Sequence, residues 1–278
     1  MPEVLLRIEG LSKTYRNHDG RTVRALEDIS LTVDQGEVFG VAGESGAGKS
    51  SLARLILGLE RPCSGAVYFE GFDLARLDRR KRREFKKKIQ MVWQDPTVYL
   101  NPGFTAAELI SEPLEVFNWG DRRAIKGRVA ELLALVDLES ALLNRRPHEL
   151  SGGQCQRIAI ARAAALNPSL MICDEILASL DLPTQVRIIE LLKTLNRELG
   201  LAVIFIAHDL AALGRLCGRL AVMRQGRIVE VGPVRTVFGR PAQEYTRRLL
   251  AAALTFRPHG ADNFGDRRTD CAPDGVTV

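Results

Sequence analysis

The sequence predicts an α/β fold with a helical region inserted into it, and three observations indicate this class. Short apolar runs typical of buried strands occur far apart in the chain, at Val38–Ala42 and Leu201–His208. Helix-like stretches follow such runs, as in a largely parallel sheet whose connections are helical. Between about 96 and 165 the strand-like runs give way to helical periodicity. The two α/β parts are therefore expected to form one body, with the helical part inserted between them.

The individual elements follow from alternation, apolar runs and helical spacing. Strands are predicted at Leu5–Glu9, Arg24–Leu26, Ile29–Val33, Val38–Ala42, Ile89–Gln94, Leu170–Asp174, Leu201–His208, Ala221–Arg224 and Ile228–Val231. Helices are predicted at Ser50–Leu59, Ala106–Phe117, Arg122–Val136, Gln154–Leu166, Thr184–Leu199 and Ala242–Ala253. Residues 257–278 show no periodicity, which indicates a flexible tail.

Composition excludes several classes of protein. The 278 residues are 46% hydrophobic and 26% charged, which is ordinary for a globular chain and excludes a disordered or fibrous one. The longest apolar run, Leu201–Ala207, falls far short of the about 20 residues that a membrane-spanning helix needs. Five scattered cysteines indicate reduced thiols rather than a disulfide framework or a zinc site.

The charge is concentrated in one segment. The chain carries a net charge of +5, but residues 76–88 hold nine basic and two acidic side chains, so the rest of the chain is at −2. A basic run can bind nucleic acid or an anionic membrane surface, and it can equally be a solvated helix leading into the next strand. Phe85 is the one aromatic residue within it, so a base-stacking platform is not indicated and no nucleic-acid partner is expected.

A phosphate-binding loop is predicted where Val38–Ala42 runs into a helix. The segment G-E-S-G-A-G-K-S at 43–50 matches the G-x-x-x-x-G-K-[ST] pattern in its strand–loop–helix context. Glycines let successive backbone N–H groups surround phosphate oxygens, and the helix N-terminus adds partial positive charge. Lys49 is expected to reach the β- and γ-phosphates and the Ser50 hydroxyl to bind Mg²⁺. The residues expected to hold the nucleotide here are Gly43, Ser45, Gly46, Gly48, Lys49, Ser50 and Ser51.

Two carboxylates end the apolar strand at 170–174. Ligands of open α/β sheets bind at the carboxyl ends of strands, so Asp174 is placed to hold Mg²⁺. Glu175 projects beyond the metal and is a candidate general base for an attacking water. An Asp-Glu pair after a strand is also common at protein surfaces, so the phosphate loop is what favours the catalytic interpretation.

Three further residues are weaker candidates on their own. His208 ends a strand and could contact the γ-phosphate, and Gln94 could reach the metal or its water. Tyr15 is an early aromatic residue that could stack on adenine. Each also has a plain structural interpretation, as a loop histidine, a surface glutamine or a packed tyrosine.

A second glycine turn lies in the helical region. Leu150-Ser151-Gly152-Gly153-Gln154 places a hydroxyl and a glycine-rich turn at the start of a helix, which is a second anion site. One domain has no need of two such sites. Ser151, Gly153 and Gln154 are therefore expected to face a nucleotide held by another subunit.

Taken in order, these motifs resemble the ATP-binding subunit of an ABC transporter over about Val4–Arg240. The motifs are the 43–50 loop, Gln94, L-S-G-G-Q at 150–154, L-M-I-C-D-E at 170–175, A-S-L-D at 178–181 and His208. The resemblance implies a P-loop NTPase of the ABC ATPase type, with a RecA-like core, an N-terminal antiparallel β subdomain and a helical insert. It also implies an ATP-binding domain over 1–256, with the core at about 1–95 and 166–240, the insert at about 96–165 and a C-terminal helix at 241–256.

The same resemblance implies cofactors, partners and a location. ATP and Mg²⁺ would lie between two ATPase subunits, with Ser50, Gln94 and Asp174 toward the metal. Glu175, His208 and Gln94 would be the catalytic residues. Two transmembrane permease subunits would contact Gln94 and the helical insert, and an extracytoplasmic binding protein would act indirectly. The chain would be peripheral at the cytoplasmic face of the inner membrane.

Two segments resemble the dipeptide, oligopeptide and nickel importer subfamily more narrowly. They are M-V-W-Q-D-P-T-V-Y-L-N-P at 91–102 and P-A-Q-E-Y-T-R-R-L-L at 241–250. Ile176 stands where the family usually has proline, and the order Ala178-Ser179 reverses the usual one in a loop that crosses to the partner. Many peptide-importer ATPases have a longer C-terminal extension with clustered cysteines, so the lone Cys271 indicates no iron–sulfur cluster, and the shorter form slightly favours a nickel or metal-chelate importer over a peptide importer.

Two other functions compete with an importer ATPase. A soluble ABC-type ATPase acting on ribosomes or nucleic acid would be supported by the basic run, but this chain has a single cassette and no long coiled-coil insertion. A P-loop kinase for small molecules gives no role to L-S-G-G-Q. The importer ATPase is the interpretation that uses every motif.

Overall fold

The computed structural model describes residues 3–16 and 21–255, so the predicted tail at 257–278 lies outside the described residues. The strands are β1 Val4–Arg16, β2 Thr22–Asp34, β3 Val38–Ala42, β4 Ser64–Phe69, β5 Phe72–Asp73, β6 Ile89–Val92, β7 Leu170–Asp174, β8 Ala202–Ala207, β9 Arg219–Arg224 and β10 Arg227–Pro233. The α-helices are α1 Lys49–Ile56, α2 Arg79–Lys88, α3 Pro96–Tyr99, α4 Ala106–Val116, α5 Arg122–Leu135, α6 Gly152–Ala164, α7 Leu182–Leu199, α8 Leu210–Leu216, α9 Val234–Gly239 and α10 Glu244–Thr255. Three short 3₁₀ turns lie at Leu74–Arg76, Ser140–Asn144 and Pro147–Glu149.

The larger sheet has six strands in the order β10-β9-β3-β8-β7-β6. From β9 to β6 all neighbours are parallel, and β10 joins β9 as an antiparallel edge. Every residue of β7 and β8 is buried, which is why these strands read as continuous apolar runs rather than alternating ones. The sheet order places the carboxyl ends of β3, β8, β7 and β6 side by side.

A smaller antiparallel sheet, in the order β2-β1-β4-β5, covers one face of the larger sheet. Successive residues of β8 point to opposite faces, so Ile204 packs with α1 and the small sheet while Phe205 packs with the helical region. The described residues therefore form two apolar cores, one on each face of the larger sheet, and the carboxyl edge lies between them.

The first two strands differ from the sequence prediction. β1 and β2 are each 13 residues long, whereas the sequence predicted short, separate strands. Their pairing has register shifts, and Gly10 and Asp28 have positive φ of 57° and 52°. Such bulges move later side chains to the other face and so break the alternation that marks a strand in a sequence.

The helical region is held together by α4, α5 and α6. Thr105 and Glu108 form a capping box at the start of α4, and Asp121 caps α5. Arg162 of α6 pairs with Glu112 of α4, with 2.7 Å between Nη2 and Oε2. The Arg157 guanidinium donates to the carbonyl oxygens of Val136 and Asp137, which directly follow α5. Across residues 3–16 and 21–255, no helix is both long and apolar enough to cross a membrane.

Candidate nucleotide site

The glycines of the phosphate loop allow it to lie against distant backbone. A Cβ on Gly43 (φ 152°) would lie 2.4 Å from the Met223 carbonyl oxygen, and one on Gly48 (φ 102°) would lie 2.4 Å from that of Ala25. Neither position has space for a side chain, because backbone atoms cannot move aside. The loop is thus fixed between β2 and β9, and its tip at Ser45 and Gly46 is exposed.

Lys49 lies under this loop at the start of α1. Its ammonium group donates to the carbonyl oxygens of Gly43 and Glu44, both at 2.9 Å, and its side chain is 4% exposed. The Glu175 carboxylate lies 3.4 Å from the same nitrogen. A buried cation with carbonyl and carboxylate partners is ready to exchange those partners for phosphate oxygens.

Asp174 and Ser50 form the part of the site that fits a divalent cation. Asp174 is buried at the end of β7, and its Oδ1 has no hydrogen-bond partner. Burial raises the pKa of the Asp174 carboxyl, and the Ser50 hydroxyl and the Lys49 ammonium oppose that rise. An unpartnered buried carboxylate oxygen beside a hydroxyl is a hard-oxygen donor set of the kind that Mg²⁺ prefers.

Glu175 and His208 meet at the next strand end. Glu175 has φ of 50°, in the left-handed region, and its N–H donates to the Ile206 carbonyl oxygen of β8 at 2.9 Å. That backbone turn aims the carboxylate between Lys49 and His208, whose Nδ1 lies 3.6 Å from Oε2. The His208 side chain is 59% exposed, so it is accessible to a bound ligand.

The structure therefore brings together the phosphate loop, Lys49, Ser50, Asp174, Glu175 and His208, as the parallel sheet order requires. Ser51 is half-buried in the first turn of α1. Gln94 is exposed just beyond β6, which is separated from the loop-bearing β3 by the two strands β8 and β7. Tyr15 is half-buried on β1, where its hydroxyl donates to Glu60 at 2.6 Å. Its stacking on adenine stays a prediction.

The turn at 150–154, here called the Ser151 turn, is separate from the Glu175 cluster, which comprises the phosphate loop, Lys49, Ser50, Asp174, Glu175 and His208. Ser151 caps α6, its hydroxyl accepting from the Gln154 N–H at 3.3 Å while the Gln154 side chain accepts from the Ser151 N–H at 2.9 Å. Between this turn and Lys49, Asp174 or Glu175 the described residues form no hydrogen bond or ion pair. A Cβ on Gly153 would lie 2.6 Å from Cγ2 of Thr184, so the turn packs tightly against the start of α7.

The loop between Glu175 and α7 carries the two departures noted in the sequence. Ile176 is fully buried in the core on the helical side of the larger sheet, which explains an apolar residue there. The Gln185 amide of α7 donates to the carbonyl oxygens of Leu177 and Leu180, both at 3.1 Å. The loop is thus fixed at both ends and joins Glu175 to the Ser151 turn through α7.

One contact at the phosphate loop had no signal in the sequence. The hydroxyl of Tyr245, on α10, accepts from the Glu44 N–H at 3.4 Å across 201 residues of chain. The Arg224 guanidinium lies 4.8 Å above the Tyr245 ring. Only the folded topology brings α10 to the loop, so no local pattern could have indicated it.

Comparison with known proteins places this site in a family. A glycine loop between strand and helix, with a buried carboxylate at a neighbouring strand end, defines an α/β nucleoside-triphosphate-binding domain. The ABC transporter family model matches residues 26–178.

Relatives and solved structures agree with the family match. The chain is 46% identical over 259 residues to the probable peptide ABC transporter ATP-binding protein y4tS of Sinorhizobium fredii, covering 91% of this chain and 73% of that one. It is 42% identical to the oligopeptide transport ATP-binding protein OppF of Salmonella typhimurium, covering 90% and 78%. The dimeric post-hydrolysis cassette MJ0796, bound to ADP and Pi, superposes with a TM-score of 0.76 at 32% identity, covering 83% and 99%.

The chain belongs to the ABC transporter family. It is an ATP-hydrolysing ATP-binding subunit with the ABC ATPase fold, and both the fold and the family predicted from the motifs are confirmed.

Proposed function

We propose that this chain is the ATPase subunit of an importer for peptides. The observation that carries the proposal is the joint presence of the Glu175 cluster and the separate Ser151 turn in a chain whose relatives y4tS and OppF are named for peptide and oligopeptide transport. Those names favour peptides over nickel or metal chelates as the transported substrate.

The proposed chemistry uses the residues at the strand ends. Lys49 and the loop N–H groups hold the β- and γ-phosphates, Tyr15 stacks on adenine, and Glu175 accepts the proton of the attacking water. His208 holds Glu175 in place and contacts the γ-phosphate. Ser50, Asp174 and Gln94 would hold Mg²⁺, which supplies charge neutralisation of the phosphate oxygens when bound.

The Ser151 turn supports a head-to-tail pair of ATPase subunits. It offers a hydroxyl, Gly153 and a helix N-terminus, groups that can bind an anion. Arg187 lines the cavity beside it, together with the acidic Asp137 and Glu139. Leu182, at the start of α7, is 71% exposed next to this turn. In the proposed pair each Ser151 turn closes on the nucleotide of the other subunit.

The permease is proposed to dock in a groove between α2, β6 and the helical region. The groove is lined by Lys86, Gln90, Trp93, Glu112, Val116 and Phe117, and Gln94 adjoins it. The groove connects the β6 edge of the larger sheet to the helical insert, so a permease segment bound there would contact both. Two transmembrane permeases, an extracytoplasmic binding protein and a position at the cytoplasmic face of the inner membrane complete the proposal.

The test is uptake by the source strain. Deleting the gene should abolish uptake of a labelled oligopeptide, and the parent gene should restore it while a Glu175→Gln gene should not. Nickel uptake, measured in the same cells, should not change. Loss of nickel uptake with intact peptide uptake would contradict the peptide assignment.

A further inference from the structure

The basic run forms a helix whose charges are mostly unpaired. Eight of the ten residues of α2 are Arg or Lys. Lys87 pairs with Glu84, and Lys88 pairs with Glu70. The other cations of α2 form no ion pair with any described residue: Arg79, Arg80, Lys81, Arg82, Arg83 and Lys86. All six are exposed.

Packing fixes which face of α2 is presented to the outside. Phe85 is 8% exposed, and its ring meets the rings of Phe69 and Phe72 edge-on at 5.6 and 5.7 Å. Because a helix repeats every 3.6 residues, Arg79, Arg80 and Arg83 lie on the side opposite Phe85. The helix is thus anchored by one aromatic residue, and its free charges face solvent.

Exposed apolar side chains border these charges. The Arg83 guanidinium donates to the Val116 carbonyl oxygen at 2.9 Å and lies 5.6 Å from the Phe117 ring. Val116 is 60% exposed, and Trp119, two residues after Phe117, is 42% exposed. Arg and Lys beside Trp and aliphatic side chains are typical of surfaces that lie in the headgroup region of a bilayer.

This surface continues the proposed permease groove, and the inference therefore rests on the proposed function. Lys86, Val116 and Phe117 line the groove as well as the edge of α2. A permease seated there spans the membrane, so the adjoining face of α2 lies toward the same membrane. The cytoplasmic surface of a bilayer with anionic lipids attracts such clusters of basic residues.

We propose that the exposed face of α2, with Val116 and Trp119, binds anionic phospholipid headgroups beside the permease. Guanidinium and ammonium groups pair with the lipid phosphates, while the two apolar side chains enter the headgroup region. The lipid contact then holds the ATPase at the membrane in addition to its contact with the permease.

The experiment is flotation of the purified full chain with permease-free vesicles. One set is phosphatidylcholine alone, and the other is phosphatidylcholine mixed with phosphatidylglycerol. The chain should float with the anionic vesicles only, and less so as salt is raised. Each basic residue near an anionic surface raises the membrane partition coefficient about fivefold. Loss of three such residues should weaken binding about a hundredfold, and R79E/R80E/R83E should weaken it at least that much because it also adds negative charge.

The matched control is R122E/R123E/K126E on α5. These three cations are also exposed and, among the described residues, unpaired, so the control makes the same change in net charge elsewhere. It should retain most of the binding. Acidic residues at a helix N-terminus favour the helix, and a thermal melt checks that both variants fold. Equal loss in the two variants, or retention in the α2 variant, overturns the proposal.

A nucleic-acid role is the other possible result. If a single-stranded RNA homopolymer binds more tightly than anionic vesicles, with the same dependence on Arg79, Arg80 and Arg83, the surface is an RNA site and the lipid proposal is wrong. The uptake assay reports the peptide-importer function separately. Failure of the parent chain to float with anionic vesicles, while the parent gene still restores peptide uptake, contradicts the lipid inference alone.

Discussion

At the scale of single residues, the site depends on how one backbone turn directs Glu175. Positive φ is uncommon for a non-glycine residue and persists where the surroundings enforce it. Here the N–H bond to Ile206 and the buried Ile176 on the other side enforce it. The result is a carboxylate placed between a buried ammonium and an exposed imidazole, as the proposed role of general base requires.

Glu175→Gln should separate hydrolysis from binding. The amide keeps the volume of the side chain but cannot accept the proton, and loss of a general base costs about 10²–10⁴ in rate. ATP affinity should stay within a few-fold because Lys49, Ser50 and Asp174 are unchanged. Phosphate release and titration with a fluorescent ATP analogue measure the two quantities. Lys49→Ala is the control that should lose both, and hydrolysis by Glu175→Gln within tenfold of the parent would exclude Glu175 as the base.

At the scale of secondary-structure elements, α10 is held over the phosphate loop. Glu230 of β10 accepts from the N–H groups of Ala242 and Gln243, which fixes the chain just before the helix. Tyr245 then reaches Glu44, whose carbonyl oxygen is held from the other side by Lys49. The C-terminal helix therefore positions a peptide unit of the nucleotide site.

Tyr245→Phe should weaken ATP binding without unfolding the chain. A neutral hydrogen bond contributes about 0.5–1.5 kcal/mol, which corresponds to a change in ATP affinity of about twofold to tenfold. Titration with a fluorescent ATP analogue measures it. Tyr68→Phe is the matched control, since Tyr68 lies on β4 with its ring under Arg7 and should leave affinity unchanged. Equal affinity in the two variants would show that α10 has no part in positioning the loop.

At the scale of the whole molecule, the two halves of the proposed chemistry lie apart. The Glu175 cluster is at the carboxyl edge of the larger sheet, while the Ser151 turn begins α6 in the helical region. The loop held by Gln185 and the contact between Thr184 and Gly153 connect them through α7. In the proposed pair, one subunit therefore presents its own nucleotide site and, separately, the Ser151 turn that closes on the nucleotide of the other subunit.

Glu175→Gln should form a dimer when ATP and Mg²⁺ are added, because each unhydrolysed ATP stays bound between the nucleotide site of one subunit and the Ser151 turn of the other. Size-exclusion chromatography should show a species of twice the mass of the chain. Adding Ser151→Arg to the same variant places a bulky cation in the second anion site and should return it to a monomer. A dimer that survives Ser151→Arg would contradict the role of this turn. A Glu175→Gln chain that stays monomeric would show that its partner is a different ATPase subunit.

The sequence predicted what is encoded locally. The phosphate loop, the acidic end of β7 and the Ser151 cap are continuous segments whose residue types follow from their chemistry, and the central strands are buried enough to read as apolar runs. Bulges hid the length of β1 and β2, and β4 was missed. The contact of Tyr245 with Glu44 and the bracing of the 176–181 loop by Gln185 depend on tertiary topology, so no local pattern could predict them.

The position of β3 in the middle of its sheet has a consequence for synthesis of the chain. β3 pairs with β8 and β9, which are made more than 150 residues later, and the loop after it is fixed by the bond from the Gly226 N–H to Ala47. During translation the nucleotide site therefore stays unformed until about residue 226 has left the ribosome, with folding delayed by its long-range contacts. A prematurely terminated product lacks the strands that shape the loop, so it cannot compete with the finished subunit for ATP.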